Sequence, residues 1–157
     1  MKKIIFLFSL TNLVSCKNNN EEEIWLKSIF NCNNSSKYCF YLDKEKQVCT
    51  KRFMAFLSES EQIYGASNFT NDERKKAEIE YLKKWKNIYP PNKTANWLFG
   101  RGQDDTEEII AVEINKISNL KYSVFIDYGN GIKTQNEVTL ISENGSYKID
   151  YCDTKFN

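Results

Sequence analysis

The spacing of apolar residues switches partway along this chain, and that switch constrains its fold more than any other feature. From Lys46 to Tyr64, residues Cys49, Phe53, Phe56, Leu57, Ile63 and Tyr64 recur at near-helical spacing, and Gly65 follows as a stop. A second helix starts at Thr70. Thr70 and Glu73 stand at capping-box separation, where a hydroxyl and a carboxylate each satisfy a backbone N–H near the other. Ala77, Tyr81, Leu82, Trp85, Ile88 and Tyr89 line one face of this helix, and Pro90-Pro91 ends it. Its other face carries Arg74, Lys75, Lys76, Lys83, Lys84 and Lys86 among Asp72, Glu78 and Glu80, with Glu80 to Lys84 a favourable i,i+4 pair. A shorter helix is expected around Glu22 to Phe30.

Beyond residue 109 the period falls to two. Ile110, Val112 and Ile114 alternate with more polar neighbours, as do Tyr122, Val124 and Ile126; further strands cover residues 132–142 and 146–152. Asn144-Gly145 is a two-residue hairpin signal that pairs Leu140 with Ile149 and Val138 with Tyr151. A one-residue slip would turn every side chain over, so each turn is chosen to keep the apolar faces together. A Gly129-Asn130-Gly131 loop sets Tyr122 opposite Val138, and an Ile117-Ser118-Asn119 loop sets Ile114 opposite Tyr122 and Val112 opposite Val124. The opposite face bears Ser123, Asp127, Lys133, Gln135, Glu137, Lys148 and Asp150. Residues 94–101 are read as an added edge strand. The expected architecture is α+β, with two to three N-terminal helices packed on a curved four- to five-stranded antiparallel meander. This order of elements, over roughly residues 47–153, resembles the cystatin-type and nuclear-transport-factor-like folds. In those folds a curved sheet wraps a helix and often leaves a cone-shaped pocket, but such folds host many roles.

The N-terminus reads as an address. Lys2 and Lys3 precede an apolar run from Ile4 to Val14, too short for the roughly 20 residues of a membrane-spanning helix. Leu13-Val14-Ser15-Cys16 resembles the bacterial lipobox, a cleavage site ending in a cysteine that is lipidated. The resemblance implies a signal peptide over residues 1–15, a membrane anchor at Cys16, and an address in the cell envelope at the outer membrane, with the leaflet open. Lys17-Asn18-Asn19-Asn20-Glu21-Glu22-Glu23 then reads as a polar tether (residues 16–23), or as a stretch similar to the surface-export tag of some outer-membrane lipoproteins. Residues 24–157 are left as one domain.

Four further cysteines, Cys32, Cys39, Cys49 and Cys152, are expected in an exported chain to form two disulfides, at least one tying Cys152 to the 32–49 region. No Cys-x₂-Cys pair occurs among them, which argues against zinc.

Chemistry is narrowed by what is missing. With no histidine in 157 residues, the chain lacks Ser-His and Cys-His pairs and histidine metal sites. A net charge of +1 gives no general attraction for nucleic acid, which is not expected as a partner. Asp127, Glu137 and Asp150 share the polar sheet face but are read as ion-paired surface acids beside Lys133 and Lys148, and no catalytic residue is assigned. Asp104-Asp105-Thr106-Glu107-Glu108 lacks the ligand pattern of a calcium loop, so no metal or cofactor is expected. Thr134 and Asn136 fall on the apolar sheet face and, with Tyr122, Tyr151 and Trp97, are candidates to line a pocket. Phe125, Ile141 and Arg101 are candidates to contact a partner. The leading expectation is a non-catalytic, membrane-anchored domain that binds an envelope protein or a small ligand, with an inhibitor or immunity-like role suggested by fold analogy alone. The alternatives are a structural accessory of an envelope complex, acting through Phe125 and Ile141 or the Lys-rich helix, and a small carboxylate-based hydrolase.

Overall fold

The computed structural model describes residues 21–32, 37–40, 44–65, 68–90, 97–100, 108–129 and 131–157. Among them, helices precede strands in an α+β arrangement. The helices are α1 (Glu21–Ser28), α2 (Glu45–Val48), α3 (Lys51–Tyr64) and α4 (Asn71–Trp85). The strands β1 (Ala111–Ser118), β2 (Lys121–Asp127), β3 (Lys133–Glu143) and β4 (Ser146–Phe156) form one antiparallel sheet in the order β1-β2-β3-β4. The described part of the expected edge strand, Leu98–Gly100, is instead a 3-10 turn with Phe99 at φ 61°.

The expected helix from Lys46 breaks at Cys49 and Thr50, because Thr50 is the N-cap of α3. Its hydroxyl accepts from the Phe53 N–H at 3.1 Å. Its own N–H, freed from any helix, donates to the Ile149 carbonyl at 2.9 Å, so the break lies along the edge of β4. Phe53, Phe56, Leu57 and Ile63 form the buried stripe of α3, and α4 carries the full Thr70–Glu73 capping box. α4 ends at Trp85, a turn before Pro90. Tyr81, Trp85 and Tyr89 are buried, but Ile88 is exposed. Lys84 bonds to Glu59 of α3 at 2.5 Å rather than to Glu80. Glu21–Glu23, expected in the tether, open α1, where their charge favours the helix N-terminus.

Sheet register follows the apolar pattern in its centre and departs from it at two bulges. Tyr122 faces Val138, Val124 faces Asn136 and Ile126 faces Thr134, as the patterning requires. The β1–β2 turn is Asn119-Leu120, not a three-residue loop. Ser118 pairs with Lys121, Ile117 is bulged out, and Val112 and Ile114 face Ile126 and Val124, two residues from the expected register. Parity survives, so the faces are unchanged. At the other hairpin Asn144 (φ 52°) and Gly145 (φ 78°) make the turn, and Leu140 faces Ile149. Asp150 is then an extra residue in β4, so Val138 faces Cys152 and Tyr151 faces Thr139.

That bulge corrects two expectations. Asp150 is 8% exposed rather than on the open sheet face, and it accepts from Thr50 Oγ1 at 2.8 Å. Cys152 does not bridge to the 32–49 region. It and Cys49 are free, buried thiols, and the bonded pair is Cys32–Cys39 with Cα atoms 5.3 Å apart. A loop this short contributes roughly 2–3 kcal/mol by chain entropy, against the 4–5 kcal/mol of a bridge closing about 100 residues. The ends of the domain are joined by the Thr50–Asp150 contact instead.

Thr50→Ala removes both the cap and a bond to a buried carboxylate. It should lower the unfolding free energy by about 2–4 kcal/mol in urea titrations, with Thr50→Ser recovering most of the loss.

Candidate functional site

The apolar sheet face is where a cone-shaped pocket was expected. Tyr122, Thr134 and Asn136 all lie there, each with 0% exposure. Tyr122 lies beside Glu22 of α1, and toward the end of β4 the face is covered by three buried rings. Phe30 follows α1 and Phe40 follows the Cys32–Cys39 loop; the two chain segments are joined by the Cys39 N–H bonding the Phe30 carbonyl at 2.9 Å. Their rings meet Phe99 at centroid distances of 5.1 and 5.3 Å. The turn that carries Phe99 sits directly on the end of β4: a Cβ built on Gly100 would lie 2.7 Å from Phe156 Cζ. The Tyr128 hydroxyl donates to the Phe99 carbonyl at 2.9 Å and holds the turn from the sheet side.

Beneath the rings the polar residues satisfy one another. Asn136 Nδ2 donates to the Val124 carbonyl at 2.9 Å and to Thr134 Oγ1 at 3.0 Å, while Thr154 Oγ1 donates to Asn136 Oδ1 at 2.7 Å. Cys152 Sγ approaches the same oxygen at 3.9 Å. Such a closed network is a specificity device for strand pairing, since a buried polar group without partners costs about 1–3 kcal/mol. Thr134 and Asn136 are therefore structural residues of the core and do not border a wet mouth.

The remaining candidates scatter. Tyr151 is half-buried, stacks on Tyr89 at 5.4 Å and donates to the Pro90 carbonyl at 3.1 Å, on the side of the α3–α4 hairpin. Trp97 is half-buried at the start of the 98–100 turn, and Phe125 and Ile141 are half-buried on separate strands. Cys16, Arg101 and residues 104–107 lie outside the described residues; Glu108 pairs with Lys37 at 2.5 Å.

Charged groups whose place sequence reasoning missed sit at the joints between elements, with Glu22, Glu45 and Asp150 buried there. At the β4 bulge Arg52 donates to Asp150 Oδ2 at 2.6 Å and to the Tyr89 hydroxyl at 2.8 Å, and that hydroxyl donates to Asp150 Oδ1 at 3.1 Å. At the other side of the sheet Glu22 of α1 pairs with Lys116 of β1 at 2.6 Å, and the ammonium holds its carboxyl below the usual range. Glu45 of α2 accepts from the Leu98 N–H at 3.3 Å, and burial raises its pKa to about 7. Nothing in the local sequence marks Glu45, which sits between Lys44 and Lys46 like a surface residue.

The three surface-acid candidates do not converge. Asp127 pairs with Lys133 at 2.9 Å, which with the Gly129 N–H holds its carboxyl low; Glu137 pairs with Lys121 at 3.4 Å; and Asp150 is engaged by Arg52. Burial pushes the Cys152 thiol up to about 12 and the Cys49 thiol higher still, so neither is a nucleophile at neutral pH. Among the described residues no group of three or more metal-ligating side chains is assembled. Among the described residues two shallow concavities occur, one of about 260 Å³ beside Phe69, Ile63 and Tyr81 of the helical hairpin and one of about 140 Å³ on the polar sheet face by Gln135 and Asp153.

Two measurements follow. Asn136→Ala strands Thr154, Thr134 and the Val124 carbonyl, and should cost about 2–3 kcal/mol of stability. Glu45 has a folded pKa raised from the usual carboxylate value of 4.5, so the folded state binds the extra proton. Stability should fall as pH rises from about 4.5 to 7, by an amount on the order of 3 kcal/mol, and level off above. In Glu45→Gln that slope should vanish from urea midpoints measured across the same window. Compared with protein-family models, curated proteins and solved structures, the chain finds no match in any of the three.

Proposed function

We propose that this chain is a lipid-anchored protein of the bacterial cell envelope, placed at the outer membrane, whose domain is a non-catalytic module that binds a protein partner. The anchor reading rests on Lys2-Lys3, the apolar run and Leu13-Val14-Ser15-Cys16. The Cys32–Cys39 disulfide is consistent with an oxidising compartment.

The observation that carries the binding mode is the filled sheet face. Phe30, Phe40 and Phe99 pack as buried rings against the end of β4, Thr134 and Asn136 are fully buried, and Tyr122 is buried further along the same face beside Glu22 of α1. Recognition then falls to the outer surface, where Ile24, Phe69, Ile79, Ile110 and Ile117 are 40–66% exposed. The dispersal of Asp127, Glu137 and Asp150 into separate ion pairs favours binding over carboxylate-based hydrolysis.

Metabolic labelling with palmitate should mark the wild-type chain and place it in the membrane fraction, and Cys16→Ala should lose both. Crosslinking of the lipidated, disulfide-intact protein in native envelopes should then yield one dominant adduct with a protein. Copurification of a small molecule without any adduct would overturn the binding mode, and hydrolytic turnover abolished by Asp127→Asn or Asp150→Asn would overturn the non-catalytic reading.

A further inference from the structure

α4 uses one side for the core and leaves the other exposed. Tyr81 and Trp85 are buried, while Lys75, Lys76, Lys83 and Lys86 are exposed and make no hydrogen bond or ion pair. At 100° per residue these four lysines fall within an arc of about 100° and extend over about 16 Å of the helix. Ile79, 62% exposed, stands in the middle of that arc, and Asp72 is the one acid on it. Lys84, by contrast, is held against Glu59 and lies off the arc.

We propose that this face docks α4 onto the anionic surface of the bilayer to which the chain is anchored. The inference rests on the lipid-anchor reading above. The partner must be anionic because four free ammonium groups face a single carboxylate. It is assigned to the bilayer because of reach: α1 begins at Glu21, five residues after Cys16, so a fully extended connection spans only about 18 Å. The domain is therefore held within its own diameter of the lipid.

Magnitudes fit an anchored domain and not a free one. Each lysine near an anionic surface strengthens binding about fivefold, and four together on the order of a thousandfold. That corresponds to a dissociation constant of about 1 mM, too weak for a freely diffusing protein. A short tether supplies an effective concentration of about that size, enough to keep α4 docked a large part of the time. Ile79, ringed by the lysines, would enter the headgroup region as the apolar residues of interfacial helices do.

The test places the purified lipidated protein in vesicles of phosphatidylcholine alone or with 30% phosphatidylglycerol, and measures amine labelling of the four lysines together with amide exchange along α4. Labelling of Lys75, Lys76, Lys83 and Lys86 should slow about two- to fivefold in the anionic vesicles at low salt. The difference should disappear in 1 M NaCl and in a Lys75→Glu/Lys76→Glu/Lys83→Glu/Lys86→Glu variant. That variant keeps its anchor and, with all four positions exposed, its fold. Failure to associate with either vesicle would count against the anchor alone. Coupling the Cys16 thiol to a maleimide lipid then carries the same comparison, since Cys49 and Cys152 are buried and Cys32–Cys39 is bonded. Equal labelling in the two vesicle types at low salt would overturn the proposal. So would protection seen only in native envelopes, which would reassign the face to an acidic protein.

Discussion

The carboxylate of Asp150 is the point through which the helical and sheet halves hold each other. It receives Thr50 and Tyr89 on one oxygen and Arg52 on the other, so the residue that starts α3, the residue two further along it and the residue past the end of α4 all converge on one bulge in β4. A carboxylate accepting three such bonds repays much of its desolvation, and the same bonds fix where α3 begins. Without the extra residue, Asp150 would alternate with its neighbours on a regular strand and could not reach the helices while Ile149 faced Leu140. The bulge, the helix break and the stacking of Tyr89 on Tyr151 are thus one device.

How far the sequence discloses this structure depends on the range of the interaction concerned. The capping box at Thr70 and Glu73 is legible because both partners lie within one turn. The pairing of Tyr122 with Val138 is legible because a filled apolar face admits only one parity. Thr50 reads as an unremarkable member of a helical stripe, and its role as a cap becomes visible only with Ile149 and Asp150 beside it. The bulge is invisible for the same reason: Ser146 to Cys152 alternates well enough to be read as a regular strand. Thr134 and Asn136 are correctly singled out as polar residues on an apolar face. Whether such residues meet water or each other turns on Phe30 and Phe40, which flank one disulfide loop, and on Phe99 from far along the chain.

The filled sheet face bears on the proposal that this protein is a binding module. A cavity offers affinity for a small molecule through enclosure, whereas the described part of the apolar sheet face is packed with side chains. Recognition by an outer surface draws on area and charge distribution instead. The ion pair of buried Glu22 with Lys116 fixes α1 against the sheet edge.

The separation of the four domain cysteines into a local bonded pair and two buried thiols has a consequence for how the protein matures. Four thiols in principle allow three complete pairings, and exported proteins commonly need an isomerase to sort them. Here Cys32 and Cys39 are close in the chain, whereas Cys49 and Cys152 are buried, and burial suppresses their thiolates. Exchange needs a thiolate as attacker, so once the core has closed a single oxidation finishes the job and no shuffling competes with it.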